Sequence, residues 1–193
     1  MGTRIIAIAV VLMVEGSIAL YSAPPAGWFM AGNKPTDYDA SADPAATYLE
    51  QPSILMKSIR PTAEGFGTMM QCFRGQQYLG KRIRFSANVK STGIDAPGDW
   101  AGLWFRSDKN KQSVAFDNMA DRPIKGTTPW RNYEVVLDVP ADSTGSCFGI
   151  LLHGSGAAWI NSIKLEIVSN SVPVTGRSQT AVPDRPTNLG FQN

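Results

Sequence analysis

The chain has 193 residues, with 18 Lys or Arg against 16 Asp or Glu and a formal net charge of +2, and this length is typical of one domain. No basic run is longer than Lys81-Arg82, which is too short to form the clustered positive face that binds phosphates, so nucleic acid is not an expected partner. His153 is the only histidine, which excludes metal sites built from two or three imidazoles.

The first 26 residues have the pattern of an export signal. Arg4 precedes ten apolar residues, 5–14, and polar residues follow them. Ser17 and Ala19 are small residues at the two positions that a signal peptidase recognises, so we expect cleavage near residue 19 and a periplasmic or secreted protein. The alternative is an uncleaved segment that anchors the protein in a membrane, although Glu15 interrupts the apolar run.

Between residues 27 and 168 the hydrophobic pattern has a period of two, which is typical of β-strands. Ile83 and Phe85, for example, alternate with Arg84 and Ser86. The pattern predicts an all-β domain, a two-sheet antiparallel jelly-roll sandwich of eight or nine strands. The predicted strands are 28–31, 53–59, 67–73, 82–90, 100–106, 112–118, 133–139, 147–153 and 158–168.

Residues 169–193 differ from the rest of the chain. They contain three prolines and scattered polar residues, without periodicity. This segment is predicted to be a disordered tail.

Alternation along the predicted strand 100–106 places Trp100, Trp104 and Arg106 on one face, opposite apolar residues. Flat aromatic rings stack on the apolar faces of sugars, and an Arg beside them hydrogen-bonds a hydroxyl or carboxylate. We expect the outward residues of strand 82–90 to continue this surface; the alternative is that the Trp side chains fill the edge of the sandwich. The predicted ligand-binding residues are Trp104, Arg106, Trp100, Gln71, Asn88, Arg84, Asp117, Asn118 and His153.

Several stretches resemble the galactose-binding-like jelly rolls found in carbohydrate-binding modules. They are 27–29, 81–87, 130–135 (WRNYEV) and 158–161 (AWIN). The stretches 100–106 (WAGLWFR) and 115–119 (AFDNM) are also similar to bacterial jelly-roll domains, some of which are attached to transcription regulators. The resemblance implies a jelly-roll fold, which serves sugar-binding, protein-binding and structural roles alike.

The resemblance also implies a structural calcium ion between the N-terminal segment and the position of Asn161. Such modules carry an acidic residue there, whereas Asn161 has no carboxylate. Asp37, Asp39 and Asp43 are the residues available to supply further oxygen ligands. The alternative is that these are solvated loop aspartates and that the protein has no cofactor.

The two cysteines, Cys72 and Cys147, lie on separate predicted strands. A disulfide would persist in an oxidising compartment, but it needs Cα atoms closer than about 7 Å. The sequence does not reveal which strands pair, so a disulfide and two buried thiols both remain open.

The leading functional hypothesis is an exported, non-catalytic module that binds a carbohydrate or other small polar ligand on its aromatic face. One alternative is a protein-interaction or assembly domain. Another is a small enzyme, a hydrolase or an isomerase or cyclase, with a pocket between the sheets. The expected partner is a small polar ligand or glycan, with a protein as the alternative, and a membrane is contacted only through an uncleaved N-terminal segment.

Overall fold

The computed structural model describes residues 23–175. Ten strands and two short 3-10 helices, Pro35–Asp37 and Gln76–Tyr78, occur in this range. No helix within residues 23–175 is long and apolar enough to cross a membrane. The strands are β1 (Phe29–Gly32), β2 (Tyr38–Tyr48), β3 (Gln51–Ser58), β4 (Phe66–Phe73), β5 (Lys81–Ile94), β6 (Trp100–Lys109), β7 (Gln112–Asp117), β8 (Gly126–Val139), β9 (Gly145–His153) and β10 (Ala157–Val168).

The strands form two antiparallel sheets of five strands each. The first sheet has the order β1-β4-β9-β6-β7, and the second has the order β2-β3-β10-β5-β8. The prediction of an all-β, two-sheet antiparallel sandwich is confirmed. The number of strands is ten rather than eight or nine.

The strand that the sequence did not predict is β2. It contains Asp39, Asp43 and Pro44, residue types that are rare in strands. β2 lies at the edge of the second sheet, where a proline costs no hydrogen bond, and its pairing with β3 is irregular between Asp43 and Thr47. Tyr38 and Ala40 are buried in the core, which holds the strand against the sandwich.

The interior of the sandwich is filled by the inward-facing side chains of both sheets. Ala101, Leu103 and Phe105 of β6 are completely buried, as the alternation predicted. Phe148 of β9 meets Phe85 of β5 across the interface between the sheets, with ring centroids 5.0 Å apart. Each fully buried side chain of this size contributes about 1.5–3 kcal/mol to folding. A binding site therefore has to lie on an outer face or at a rim.

A disulfide joins Cys72 of β4 to Cys147 of β9. The two residues are direct register partners, and their Cα atoms are 4.1 Å apart. The question that the sequence left open is thus answered in favour of the bridge. It cross-links two neighbouring strands of the first sheet.

Residues 170–175, part of the segment predicted to be a tail, are hydrogen-bonded to the second sheet. Arg82 donates from Nη1 to the carbonyl oxygens of Asn170 and Val172, at 2.6 and 2.7 Å. The amide of Thr175 donates to Val136 O at 3.0 Å, and the amide of Val136 donates to Thr175 Oγ1 at 2.8 Å. The rest of the predicted tail, and residues 1–22 of the predicted export signal, lie outside the described residues.

Asp117, at the end of β7, ties this C-terminal segment to the adjoining loop. Its carboxylate accepts hydrogen bonds from Thr175 Oγ1 at 2.6 Å, from Arg122 Nη2 at 2.5 Å and from the Met119 amide at 2.8 Å. Burial alone would raise the pKa of Asp117, but the hydrogen bonds from Arg122, Thr175 and Met119, with the positive charge of Arg122, lower it below its usual value.

This lowered pKa predicts a pH-dependent stability difference between the wild type and Asp117→Asn. The carboxylate stabilises the fold above about pH 4, and this contribution is lost as the pH falls through the lower pKa of the folded state. Urea denaturation between pH 3 and pH 7 should show a loss of stability in Asp117→Asn that is largest near neutrality and shrinks below about pH 4.

Asp121→Asn is the matched control, because Asp121 also pairs with Arg122 but is exposed. An exposed pair contributes about 0–1 kcal/mol, so this variant should stay close to the wild type. A stability loss in Asp117→Asn that is as large at pH 3 as at pH 7 would contradict the assignment.

Candidate functional site

A cleft of about 610 Å³ lies on the outer face of the first sheet. It brings together five of the residues predicted from the sequence: Trp100, Trp104 and Arg106 on β6, Asn118 just after β7, and His153 at the end of β9. The remaining residues that line the cleft come from β1, β4, β7 and β9: Phe29, Ala31, Gly32, Phe66, Thr68, Met70, Phe116 and Leu151.

Two glycines lie on the central strands of this face. The register places Gly149 of β9 between Trp104 of β6 and Met70 of β4, so no side chain rises between these two. Gly102 of β6 leaves room for the backbone that follows β7, because a Cβ there would lie 2.8 Å from Asn118 O and 3.2 Å from the Trp100 ring. Glycines inside central strands mark places where another group approaches closely; at Gly149 this group is the backbone of β4, because a Cβ there would clash with Met69 O.

Trp104 forms part of the cleft floor. Only 6% of its surface is exposed, and its indole Nε1 donates to Thr68 Oγ1 at 2.7 Å, across the strand that carries Gly149. Thr68 in turn donates from Oγ1 to Ile150 O at 2.8 Å. The expectation that Trp104 offers a free ring face to a ligand is therefore limited to the small part of the indole that faces the cleft.

The exposed aromatic rings are two that the sequence reasoning missed. Phe29 of β1 and Phe116 of β7 lie on the two edge strands of the first sheet, and their exposed fractions are 45% and 42%. Phe116 is the register partner of Arg106. Alternation alone indicates that Phe116 points away from the buried Ala115, but only the pairing of β7 with β6 reveals that it borders the cleft.

Three polar side chains lie at the borders of the cleft, and two of them, Arg106 and Asn118, have nitrogen atoms that are unpartnered among the described residues and not buried. Arg106 donates from Nε to Asp108 at 3.1 Å, and its two terminal nitrogens have no partner within residues 23–175. The Oδ1 atom of Asn118 accepts a hydrogen bond from the Ala120 amide, which leaves the NH2 group of Asn118 free among the described residues. His153 stacks on Trp100 with centroids 6.3 Å apart, and its buried Nδ1 has no hydrogen-bond partner in the described part of the chain.

The structure places the other predicted residues elsewhere. The expectation that Arg84 and Asn88 continue the aromatic face is wrong, because β5 belongs to the second sheet and these residues face the opposite side of the molecule. Gln71 lies on the inward side of β4 and donates from Nε2 to Gly27 O at 3.2 Å. Asp117 is a buried residue whose carboxylate accepts a hydrogen bond from Thr175, and it does not line the cleft.

The predicted calcium ligands do not come together. Asn161 donates from Nδ2 to three oxygen atoms of residues 51–53, at 2.9–3.1 Å, and its Oδ1 accepts a hydrogen bond from Ser162 Oγ. The register places Asp39 level with Ala157, about 13 Å along the strands from Asn161, while Asp37 pairs with Arg60. No group of three His, Cys, Asp or Glu residues within 23–175 is placed to hold a metal ion. These residues therefore do not fit a calcium ion.

No protein-family model matches this chain. Over 169 residues it is 38% identical to the uncharacterised HTH-type transcriptional regulator YbfP of Bacillus subtilis (strain 168), a match that covers 86% of this chain and 56% of the regulator. The chain thus spans little more than half the length of this relative. The match agrees with the expected similarity to jelly-roll domains attached to transcription regulators.

Solved structures share the fold at low sequence identity. The CBM22-1 xylan-binding domain of Xyn10C from Paenibacillus barcinonensis superposes with a TM-score of 0.57 at 10% identity, over 77% of this chain and 90% of that domain. The Stig cyclase Fisc from Fischerella sp. TAU, in complex with an indole derivative, has a TM-score of 0.51 at 12% identity, over 80% and 93%. The fold is therefore the jelly roll that is also found in carbohydrate-binding modules.

The hydrogen bond between Trp104 and Thr68 predicts coupled effects of two substitutions. Trp104→Phe and Thr68→Val each remove one side of a buried hydrogen bond, and each should lower the free energy of unfolding by about 1–3 kcal/mol. In the double variant the loss should be smaller than the sum, because both changes remove the same interaction. Urea denaturation measures all four proteins.

Trp159→Phe is the matched control on the second sheet. Its Nε1 also donates to a side chain, Asp43 Oδ2 at 2.8 Å, but at a less buried site, so the loss should be smaller. Strictly additive losses at Trp104 and Thr68 would show that the two side chains act independently.

Proposed function

We propose that this chain is a non-catalytic binding module that holds a carbohydrate, or another small polar ligand with an apolar ring face, in the cleft of the first sheet. The observation that carries the proposal is the composition of the cleft. Aromatic rings lie on its floor and at both edges, and Arg106 and Asn118 beside them have nitrogen donors without a partner among the described residues. Such a combination of apolar walls with a few convergent polar groups is typical of small-ligand sites.

The geometry suits a ring-shaped ligand. The exposed face of Phe116 can cover the C–H surface of a sugar, and the terminal nitrogens of Arg106, its register partner, can donate to the hydroxyl groups of that sugar. Among the described residues that line the cleft there is no Asp, Glu, Lys or Cys, so His153 has no carboxylate or thiol partner within it, which supports a role in binding.

The comparisons add support of two kinds. A domain of the same fold is named as xylan-binding, and a relative of which this chain spans about half is named as a transcriptional regulator. The second similarity favours a sensory role, in which another part of a larger protein responds to the occupied cleft.

The proposal predicts that Phe116→Ala weakens ligand binding. The ligand is first identified on a glycan array, and its affinity is then measured by calorimetry. Removal of an exposed aromatic contact should cost about 1–3 kcal/mol of binding free energy, or roughly five- to hundredfold in affinity. Arg106→Ala should have an effect of similar size.

Ile167→Ala is the control for an exposed apolar side chain outside the cleft. Ile167 lies on β10 of the second sheet and is 52% exposed, close to the value for Phe116, so its removal should leave the affinity unchanged. Equal losses in the two variants, or no loss in either, would remove the cleft from the proposal.

A second candidate function is assembly with another protein chain, favoured by the exposure of Phe29 and Phe116 on opposite edges of one sheet. Analytical ultracentrifugation separates the two functions. A mass that rises with concentration and returns to the monomer value in Phe116→Ala would favour assembly, whereas a monomer at all concentrations would favour the ligand-binding function.

We also propose that the protein is exported. The charged and apolar pattern of its first residues supports this, and the Cys72–Cys147 disulfide supports an oxidising compartment. Mass spectrometry of the protein from its native cell should give a chain that begins at Leu20, with both cysteines oxidised. A chain that retains Met1 and fractionates with membranes would instead indicate an uncleaved anchor.

A further inference from the structure

The middle of the cleft floor has almost no hydrogen-bonding capacity left for a ligand. Trp104 has one polar hydrogen, which it donates to Thr68 Oγ1, and the hydroxyl hydrogen of Thr68 goes to Ile150 O. Thr68 is also buried. The side chains around this pair are apolar: Met70 and Phe66 on β4 and Leu151 on β9. A hydroxyl group placed here would lose its hydrogen bonds to water and gain no partner, which is unfavourable.

Within residues 23–175, the unpartnered nitrogen donors of the cleft that are not buried lie on the side of β7. Arg106 and Phe116 are register partners on β6 and β7, and Asn118 follows Phe116 by two residues, about 6.6 Å further along the chain. We call these three residues the polar subsite. The apolar subsite consists of Phe66, Met70, Trp104 and Leu151.

The charge of the polar subsite favours an uncharged group. Arg106 lies 2.9 Å from the carboxylate of Asp108, so the guanidinium is already neutralised by its neighbour. Its free nitrogens, with the NH2 group of Asn118, are donors suited to hydroxyl oxygens. Phe116 adds an exposed ring face at the same place.

The apolar subsite has the dimensions of a flat fused-ring system. It extends from β4 across β9 to β6, which are neighbours in the first sheet, so it is about 10 Å wide. Gly149 contributes no side chain in the middle, and the Trp104 indole, which reaches across β9, packs with Met70 and Leu151 into one apolar surface.

We propose that the ligand of this cleft is an amphipathic glycoside, in which a neutral sugar occupies the polar subsite and a flat apolar aglycone occupies the apolar subsite. This inference rests on the proposed function and narrows it, because a plain oligosaccharide would carry hydroxyl groups over the floor. The ligand class is thus a sugar conjugate with an aromatic or alicyclic ring system.

The test compares pairs of glycosides that share a sugar. Methyl and 4-methylumbelliferyl β-D-glucosides, xylosides and galactosides, together with 4-methylumbelliferone alone, are titrated into the full chain by calorimetry. For at least one sugar, the umbelliferyl glycoside should bind at least about tenfold more tightly than both the methyl glycoside and the free aglycone. Two-dimensional NMR should then show shifts at the amides of Gly102 and Gly149.

Variants in the two subsites should have different effects. Leu151→Gln and Met70→Gln should abolish the tenfold advantage of the umbelliferyl glycoside, whereas Arg106→Gln should weaken both glycosides by the same factor and keep that advantage. Arg84→Gln is the control, because Arg84 is also a half-exposed Arg on the outer face of a sheet and is paired with a carboxylate, that of Glu166. It should change neither affinity. Circular dichroism establishes that each variant is folded.

Each outcome decides between the proposals. Equal affinities for methyl and umbelliferyl glycosides, with NMR shifts in the cleft, would overturn the inference and leave the binding function standing. Free 4-methylumbelliferone that binds as tightly as its glycosides would overturn the role of the polar subsite. Binding that none of the cleft variants changes would overturn the site itself, and the absence of binding by every probe would overturn both the inference and the carbohydrate function.

Discussion

The cleft depends on the hydrogen bond that Trp104 donates to Thr68. Because the indole reaches across β9, it joins β6 to β4 on the outer face, just as their inward side chains are joined in the core. Gly149 of β9 lies between Trp104 and Met70, and a larger residue there would clash with the carbonyl oxygen of Met69 on β4. The bond also removes the polar hydrogen of the indole from contact with a ligand, which makes the floor apolar although it contains a tryptophan and a threonine.

The two outer faces of the sandwich differ in what they leave free. On the second sheet, the aromatic rings of Trp130 and Trp159 are partly covered by Lys90, whose Nζ lies 5.4 and 4.5 Å from their centroids. Arg84 pairs with Glu166 at 3.2 Å in a polar groove on the same face. The charges and rings of this face largely pair with one another, whereas the cleft of the first sheet exposes phenylalanine rings and nitrogen donors that have no partner within residues 23–175.

The sequence was sufficient to predict features that depend on a single strand. The direction of Trp100, Trp104 and Arg106 follows from alternation along one strand and needs no knowledge of its neighbours. Features that depend on strand pairing could not be predicted: that Arg84 faces the other side, and that Phe116 borders the cleft. The strand β2 was missed for a different reason, because its edge position tolerates residues that are unfavourable in a central strand.

The disulfide constrains the register in which two strands of the first sheet pair. Cys72 and Cys147 are exact register partners, and a slip of one residue between β4 and β9 would turn their thiols to opposite faces. The bond therefore forms only in a chain whose two strands are correctly aligned, and it then prevents them from sliding. The same alignment brings Met70 opposite Gly149 and Thr68 opposite Leu151. The presence of the disulfide in a molecule thus shows that β4 and β9, which form this half of the cleft floor, are paired in the correct register.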